Sequence, residues 1–251
     1  MKLMLVGDVH SRIWAVTRAM GRAQREEVDR VFFLGDFGYH FSDTFLDYVQ
    51  SLAEDTGINI EFLDGNHENF NRLYTFPVVD GIRKLRDNIW HHPRGTVLDL
   101  DGHNVLIMGG ASSIDRLYRQ EGVSWWEQEL ITGEDIETAE QNVKGKRITA
   151  IFSHEGPILP GGSNKDDQGL LDTNPRLRYD IEISRQQRAK IRHLVNLTKA
   201  PYIYHGHHHV FTKDTLYHAD GSTTTVQCLG SEDWPVHENS IILYTEDWDA
   251  S

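Results

Sequence analysis

Five places in this 251-residue chain gather side chains that bind divalent metals. Asp8 and His10 form the first, Asp36 the second, Asn66 and His67 the third, His154 the fourth, and His207 with His209 the fifth. Histidine is abundant, at 14 residues, and it clusters in these places. Oxygen and imidazole donors without cysteine suit borderline or hard divalent ions: manganese, iron, zinc, nickel or cobalt. Residues i and i+2 of an extended segment lie on the same side. Asp8 and His10 can therefore share one ion, and His207 can reach the same site as His209. The candidate ligands Asp8, His10, Asp36, Asn66, His154, His207 and His209 exceed what one tetrahedral site needs. With one carboxylate able to bridge, they fit two ions about 3.5–4 Å apart.

Each piece alone has a plainer reading. Gly-Asp after a strand is a common turn, and Gly65-Asn66-His67 would serve as a left-handed turn with a solvated imidazole. The histidine run at 207–209 would pass for a surface patch, with His208 pointing away. His154 alone reads as a buried, hydrogen-bonded histidine. The joint pattern is harder to dismiss, because all five pieces follow apolar runs.

Those runs are the elements that must position the site. Lys2–Val6, Val31–Leu34 and Ile58–Leu63 read as strands. Between them, 12–25 has helical spacing with Ser11 as N-cap, and 43–54 places Phe45, Leu46, Val49 and Leu52 on one helix face. This β-α-β-α-β order implies a parallel sheet covered by helices. The strand-like runs 96–100 and 104–108 flank Asp101-Gly102-His103 and predict a hairpin. Helices are expected over 123–129, 134–143 and 183–197, and strands over 147–152, 201–204, 223–229 and 240–244. Residues 155–183 hold Gly, Pro, Asn and Asp without periodicity, and a loop of that length is usually functional or mobile. Two facing sheets with helices outside would bring the ligands together at the carboxyl ends of the strands.

Composition bounds the rest. With no linker and no internal repeat, residues 1–251 are expected to form a single domain. Lys and Arg number 25 against 38 Asp and Glu, a net charge of −13, which argues against an extended nucleic-acid surface. A nucleotide substrate stays open, because a bound metal reverses the local field. No apolar run approaches the roughly 20 residues of a membrane span, and the N-terminus does not read as a secretory signal. Cys228 is the lone cysteine, so a reducing cytoplasmic setting is expected, with that thiol as a buried apolar filler.

The order Asp8-Val9-His10, Gly35-Asp36, Gly65-Asn66-His67-Glu68, His154 and Gly206-His207-His208-His209 resembles the calcineurin-like metallophosphoesterase superfamily. The resemblance spans residues 8–209. It implies an α/β fold in four αββα layers, a double β-sheet sandwich flanked by helices. It also implies a first metal on Asp8, His10, Asp36 and His209, and a second on Asp36, Asn66, His154 and His207, with Asp36 as the bridge. Two such ions lower the pKa of a bridging water from 15.7 toward about 7, and the resulting hydroxide attacks phosphorus in line. His67, in the place of the family's motif histidine, would protonate the leaving oxygen. Serine/threonine phosphatases of the superfamily carry Asp-Arg-Gly after the bridging Asp, whereas this chain has Asp36-Phe37-Gly38. The Gly-His-x-His ending is shared by phosphodiesterases, repair nucleases and small phosphatases. The compact chain is most similar to the small phage and bacterial phosphodiesterases, which implies 2',3'-cyclic nucleotides as substrate and stimulation by manganese.

Candidates for substrate contact are Asn66, His67, Tyr39, His40, Arg72, Arg116 and Arg119. Arginine forks suit phosphate, and aromatic rings such as Trp125 and Trp126 suit a base. For the arginines an exposed salt bridge is an equal alternative, and for the tryptophans core packing is. A phosphomonoesterase is the alternative within the same chemistry. A non-catalytic scaffold, or a nucleotide sensor with 155–183 as its moving part, is the alternative outside it. Oligomeric state is open.

Overall fold

Apolar runs long enough to be buried on both faces build the middle of the molecule. The computed structural model describes residues 1–159 and 172–250. The strands are β1 (Lys2–Val6), β2 (Arg30–Leu34), β3 (Ile60–Leu63), β4 (Val78–Val79), β5 (Ile82–Arg86), β6 (Ile89–His91) and β7 (Val97–Leu100). They continue with β8 (His103–Met108), β9 (Ile148–Ser153), β10 (Tyr202–His205), β11 (Thr212–Tyr217), β12 (Thr223–Cys228) and β13 (Ser240–Tyr244). The helices are α1 (Ile13–Arg25), α2 (Asp43–Thr56), α3 (Phe70–Leu73), α4 (Gly133–Val143), α5 (Arg178–Thr198) and α6 (Val236–Asn239).

One sheet runs β13-β1-β2-β3-β6-β5-β4 and the other β11-β12-β10-β9-β8-β7. Strands β1, β2, β3 and β6 pair in parallel, as do β8, β9, β10 and β12. Antiparallel strands close the sheet edges. Alternation along the strands explains the layers. Leu3, Leu5, Phe32 and Leu34 pack between the sheets against Val105, Ile107, Ala150 and Phe152. Their neighbours Met4, Val6, Val31 and Phe33 face outward onto Ala15, Val16 and Ala19 of α1 and Leu46 and Val49 of α2. On the far side Leu106, Met108, Ile151 and Ile203 meet Ala139 of α4 and Ile191, Leu194 and Val195 of α5. The result is the expected double β-sheet sandwich flanked by helices.

Several boundaries differ from the sequence reading. Helix α1 begins after Arg12, which makes no side-chain cap; the Ser11 hydroxyl accepts the Tyr39 amide instead. The expected helix over 123–129 is absent. A turn bridged by Glu121 and Trp125 leads there into a 3₁₀ turn, Glu127–Glu129. Trp125 and Trp126 are adjacent and both buried, and Trp126 is extended (φ −139°, ψ 138°), which sends successive side chains to opposite sides. Strands β4, β5, β6 and β11 had no predicted counterpart. Helix α5 starts at Arg178, five residues before the expected Ile183, so the irregular segment is shorter than 155–183. Residues 160–171 of that segment lie outside the described residues.

Candidate metal centre

The segments following β1, β2, β3, β9 and β10 meet at one rim of the sandwich. Asp8, His10, Asp36 and His209 each bring a ligand atom within 4.8 Å of the others. Asp36 lies at the centre. Its Oδ2 is 3.3 Å from His10 Nε2 and 3.9 Å from His67 Nε2, and its Oδ1 is 3.5 Å from His154 Nε2. His154 Nε2 is in turn 3.0 Å from Asn66 Oδ1, and His209 Nε2 is 2.9 Å from Asp8 Oδ2.

Backbone and glycines hold this geometry. His10, Asp36, His207 and His209 all have positive φ, between 46° and 63°. Such conformations cost on the order of 1 kcal/mol or more each, and they persist where surrounding contacts over-determine them. Asp36 Oδ1 accepts the amides of Asn66 (3.0 Å) and His67 (2.9 Å), and Asp8 Oδ1 accepts the amide of His207 (3.0 Å). A Cβ on Gly65 would collide with Asp36 and His154, and one on Gly206 with Asp8. Gly65 and Gly206 are thus needed for close approach.

A second layer of hydrogen bonds decides which atoms face inward. His154 Nδ1 donates to Leu34 O (2.7 Å), leaving Nε2 as a lone pair toward Asp36 and Asn66. His10 Nδ1 lies 2.7 Å from Glu232 Oε2, which turns His10 Nε2 toward Asp36. Asn66 Nδ2 donates to Ser113 Oγ (2.9 Å), and Ser113 donates from Oγ and N to Glu129 (2.9 and 2.7 Å). That chain fixes the Asn66 amide so that its oxygen points at His154. Carboxylate or carbonyl partners on ligating side chains are typical of metal sites. On the far side of His207, Glu155 Oε2 stands 3.8 Å from His207 Nε2, and Glu155 Oε1 is 3.0 Å from His208 Nε2. His208 thus faces Glu155, away from Asp36.

The electrostatics call for a cation. Asp8 Oδ2 and Asp36 Oδ2 are buried without a well-aligned hydrogen bond, although imidazole nitrogens stand 2.9 and 3.3 Å away. Lone pairs converge there, as a bound ion requires. Without an ion a proton does the same work. Burial alone would lower the His10 pKa, but the carboxylates of Asp36 and Glu232 outweigh it and push it up to about 11. Burial likewise works against the charged form of Asp36, yet His154, His67 and His10 hold its pKa well below the ordinary carboxylate range. The donors of Asp8, His10, Asp36 and His209 fit a divalent metal ion.

Asp36, Asn66, His10, His207 and His209 line a cleft of about 410 Å³, together with Arg12, Tyr39, His67, Ser113, Arg119 and Glu232 among others. Arg119 forks onto Asp115 (2.7 and 2.8 Å) and sets Nη1 2.6 Å from His67 Nδ1. Burial, with Arg119 and His10 nearby, lowers the His67 pKa despite Asp36. Of the remaining substrate candidates, Tyr39 packs edge-on to His67 (5.3 Å between centroids), and His40 lines a neighbouring cleft. Two are brought to neither cleft. Arg72 pairs with Asp43 (3.0 Å), and Arg116 pairs with Asp180 (2.8 Å) between the rings of Trp125 and Tyr179. Glu232, Ser113's partner Glu129, Glu155 and Asp115 escaped the sequence reading as parts of the site. Glu155 follows His154 directly, and Glu232 has no local signal at all.

Fold and donor set together define an α/β sandwich metallohydrolase. The profile of the calcineurin-like phosphoesterases (Metallophos) matches residues 1–211. The chain belongs to that family, and it is a metal-dependent phosphoester hydrolase. No curated protein sequence matches it. Among solved structures it is similar to a dimetal phosphatase from Danio rerio, at 12% identity and TM-score 0.60, over 97% of this chain and 92% of that one. It is also similar to TT1561 of Thermus thermophilus, at 11% identity and TM-score 0.51, over 92% and 89% of the two chains. A purple acid phosphatase from yellow lupin matches 90% of this chain with 43% of its own, at 13% identity and TM-score 0.52. At these identities the structures share the fold. Among the described residues no helix is long and apolar enough to cross a membrane.

Proposed function

We propose that the chain, working as one domain over residues 1–251, is a dinuclear phosphodiesterase for small phosphodiesters, 2',3'-cyclic nucleotides foremost. The carrying observation is the set of buried, poorly partnered carboxylate oxygens on Asp8 and Asp36 facing imidazole nitrogens. Asp8, His10, Asp36 and His209 would hold one ion, and Asp36, Asn66, His154 and His207 the other, with manganese the expected metal. Bound there, the ions supply a water of low pKa as nucleophile and offset charge on the phosphoryl oxygens.

The chain's own residues do the rest. Asp36 would be shared by both ions, and the Ser113–Glu129 chain keeps the Asn66 oxygen turned inward. His67 protonates the leaving oxygen, and Arg119 orients the His67 ring. Arg119, forked onto Asp115, has part of its charge already compensated, which supports a diester over a monoester; Arg12 also lines the cleft. A monoanionic diester needs less compensation than a dianionic monoester. The volume of about 410 Å³ is suited to a nucleotide-sized ligand. One buried cysteine, Cys228, accords with a reducing cytoplasmic setting.

The test is turnover of metal-stripped protein given back manganese, with bis-p-nitrophenyl phosphate, p-nitrophenyl phosphate and 2',3'-cyclic AMP. Expected is faster cleavage of the diesters. Preference for the monoester would make the chain a phosphatase. Two bound metals without any hydrolysis would point to a scaffold or sensor. His67→Ala should keep both metals and lose about 10²–10⁴-fold on the cyclic nucleotide, and much less on p-nitrophenyl esters, whose leaving group needs no acid. Equal losses on both would remove His67 as proton donor.

A further inference from the structure

Beyond His67, on the side away from Asp36, lies a second cleft of about 180 Å³. Tyr39, His67 and Arg119 line both clefts and form the wall between them. Its other lining comes from His40, Val123, Ser124 and Trp126. Trp126 is buried and packs with the core of the seven-stranded sheet, so it is a fixed part of the lining. Val123 is 53% exposed, at the lip. No carboxylate lines this cleft among the described residues.

We propose that this cleft is a leaving-group subsite that selects a single flat, aromatic ring. The inference rests on the phosphodiesterase reading above. If His67 protonates the leaving oxygen, the substituent on that oxygen extends past His67, and this is the space found there. The capacity decides its size: about 180 Å³ is close to the roughly 150 Å³ cavity that takes up benzene. One ring fits, and a peptide or polynucleotide segment does not. Its chemistry decides the kind. The half-buried Tyr39 ring suits stacking, the buried Trp126 adds apolar lining, and the Arg119 guanidinium at the wall favours an electron-rich face. An aryl ester meets these conditions directly, a nucleotide base would reach the cleft only beyond the ribose that carries the leaving oxygen, and an alkyl alcohol leaves the Tyr39 ring uncovered.

The experiment measures competitive inhibition of diester cleavage by phenylphosphonate, methylphosphonate and inorganic phosphate, with the manganese-loaded protein. Phenylphosphonate should bind about tenfold tighter than methylphosphonate. Val123→Trp, which fills the cleft from its exposed lip, should bring that ratio near one and leave phosphate inhibition as it was. His40→Ala, which removes a wall without filling the space, should weaken the phenyl probe alone by roughly threefold. Equal binding of phenyl and methyl probes in the unmodified protein overturns the proposal, and so does a ratio that survives Val123→Trp. If the probes bind alike while esters are still cleaved, only the subsite falls. If phosphate does not inhibit and no ester is cleaved, the phosphodiesterase reading falls and the subsite with it.

Discussion

Two concentrations of buried charge lie close together in this fold, and they are built on opposite rules. In the first, around Asp64 and Glu61, every carboxylate oxygen has a partner. Asp64 Oδ2 accepts Arg94 Nε and Nη2 (2.8 and 2.6 Å), and Asp64 Oδ1 meets His91 (3.0 Å). Glu61 takes a fork from Arg30 (2.7 and 2.6 Å) and meets His92 (2.6 Å). Arg94 goes on to the carbonyls of Leu130 and Gln128 and to Asp135, tying the rim of one sheet to α4. Only the far ring nitrogens of His91 and His92 lack a partner. In the second, no arginine or lysine pairs with the carboxylates of Asp8 and Asp36 among the described residues. Imidazoles face them instead, and oxygens are left over. A completed network is structure, and a network short of positive charge is a site awaiting cations. The same residue types, Asp and His, serve both; the partner count separates them.

The sharpest contrast comes from removing one charge from each. Asp36→Asn should abolish the bridge, weaken both metals together, and lower turnover by on the order of 10³ or more. Loss of one metal alone, read by calorimetry or metal analysis, would mean that another residue bridges. Arg94→Met should do the reverse. It strands Asp64 in the interior and should cost about 3–5 kcal/mol in chemical unfolding, while metal stoichiometry stays at two. A cost below about 1 kcal/mol would show that Asp64 finds water or neutralises.

Both regions hold carboxylates below their ordinary range, Asp64 in one and Asp36 in the other, and the second adds an alkaline limb from His10. Burial opposes the charged form of Asp64, but Arg94 and His91 hold its pKa below the ordinary carboxylate value of 3.8. Its contribution to stability is therefore complete above that value and lost as pH falls through it and lower. Asp64→Asn should flatten this acid limb. His10 is raised, from 6.5 to about 11, in the metal-free protein. Its contribution is present below pH 6.5 and fades as pH rises toward 11. Thermal melts of metal-free protein should show both limbs. Adding metal should erase only the alkaline one, because the ion replaces the proton; an alkaline limb that persists with metal would assign it elsewhere.

The smallest effect tests the hydrogen-bond chain behind Asn66. Ser113→Ala should loosen the second metal about tenfold, measured by chelator competition, and Ser113→Thr should restore it. No change in either metal would make the Ser113–Glu129 pair part of the structure only.

The candidate metal-binding edge was legible in the sequence because each candidate ligand follows an apolar run, and parallel sheets present their strand ends together. The strands themselves were legible where both faces are buried, as in Val31–Leu34. What hid was edge structure and support. β11 is a polar edge strand with most of its residues exposed, so it carries no continuous apolar run. The 123–129 segment has helix-like composition, but burying Trp125 and Trp126 in different directions demands extended backbone. Glu232 and Glu129 support ligands far away in sequence (222 residues separate His10 from Glu232), and no local pattern marks such a pair. Arg72 and Arg116 could not be told from Arg119 by composition. What separates them is which carboxylate each one reaches.

The most direct measurement is a titration of metal-stripped protein with manganese, following bound metal and diester turnover in the same sample. Expected are two bound equivalents, with turnover rising to its plateau only as the second fills. Saturation of turnover at one equivalent, or two bound ions with no cleavage of any phosphodiester, would contradict the dinuclear phosphodiesterase.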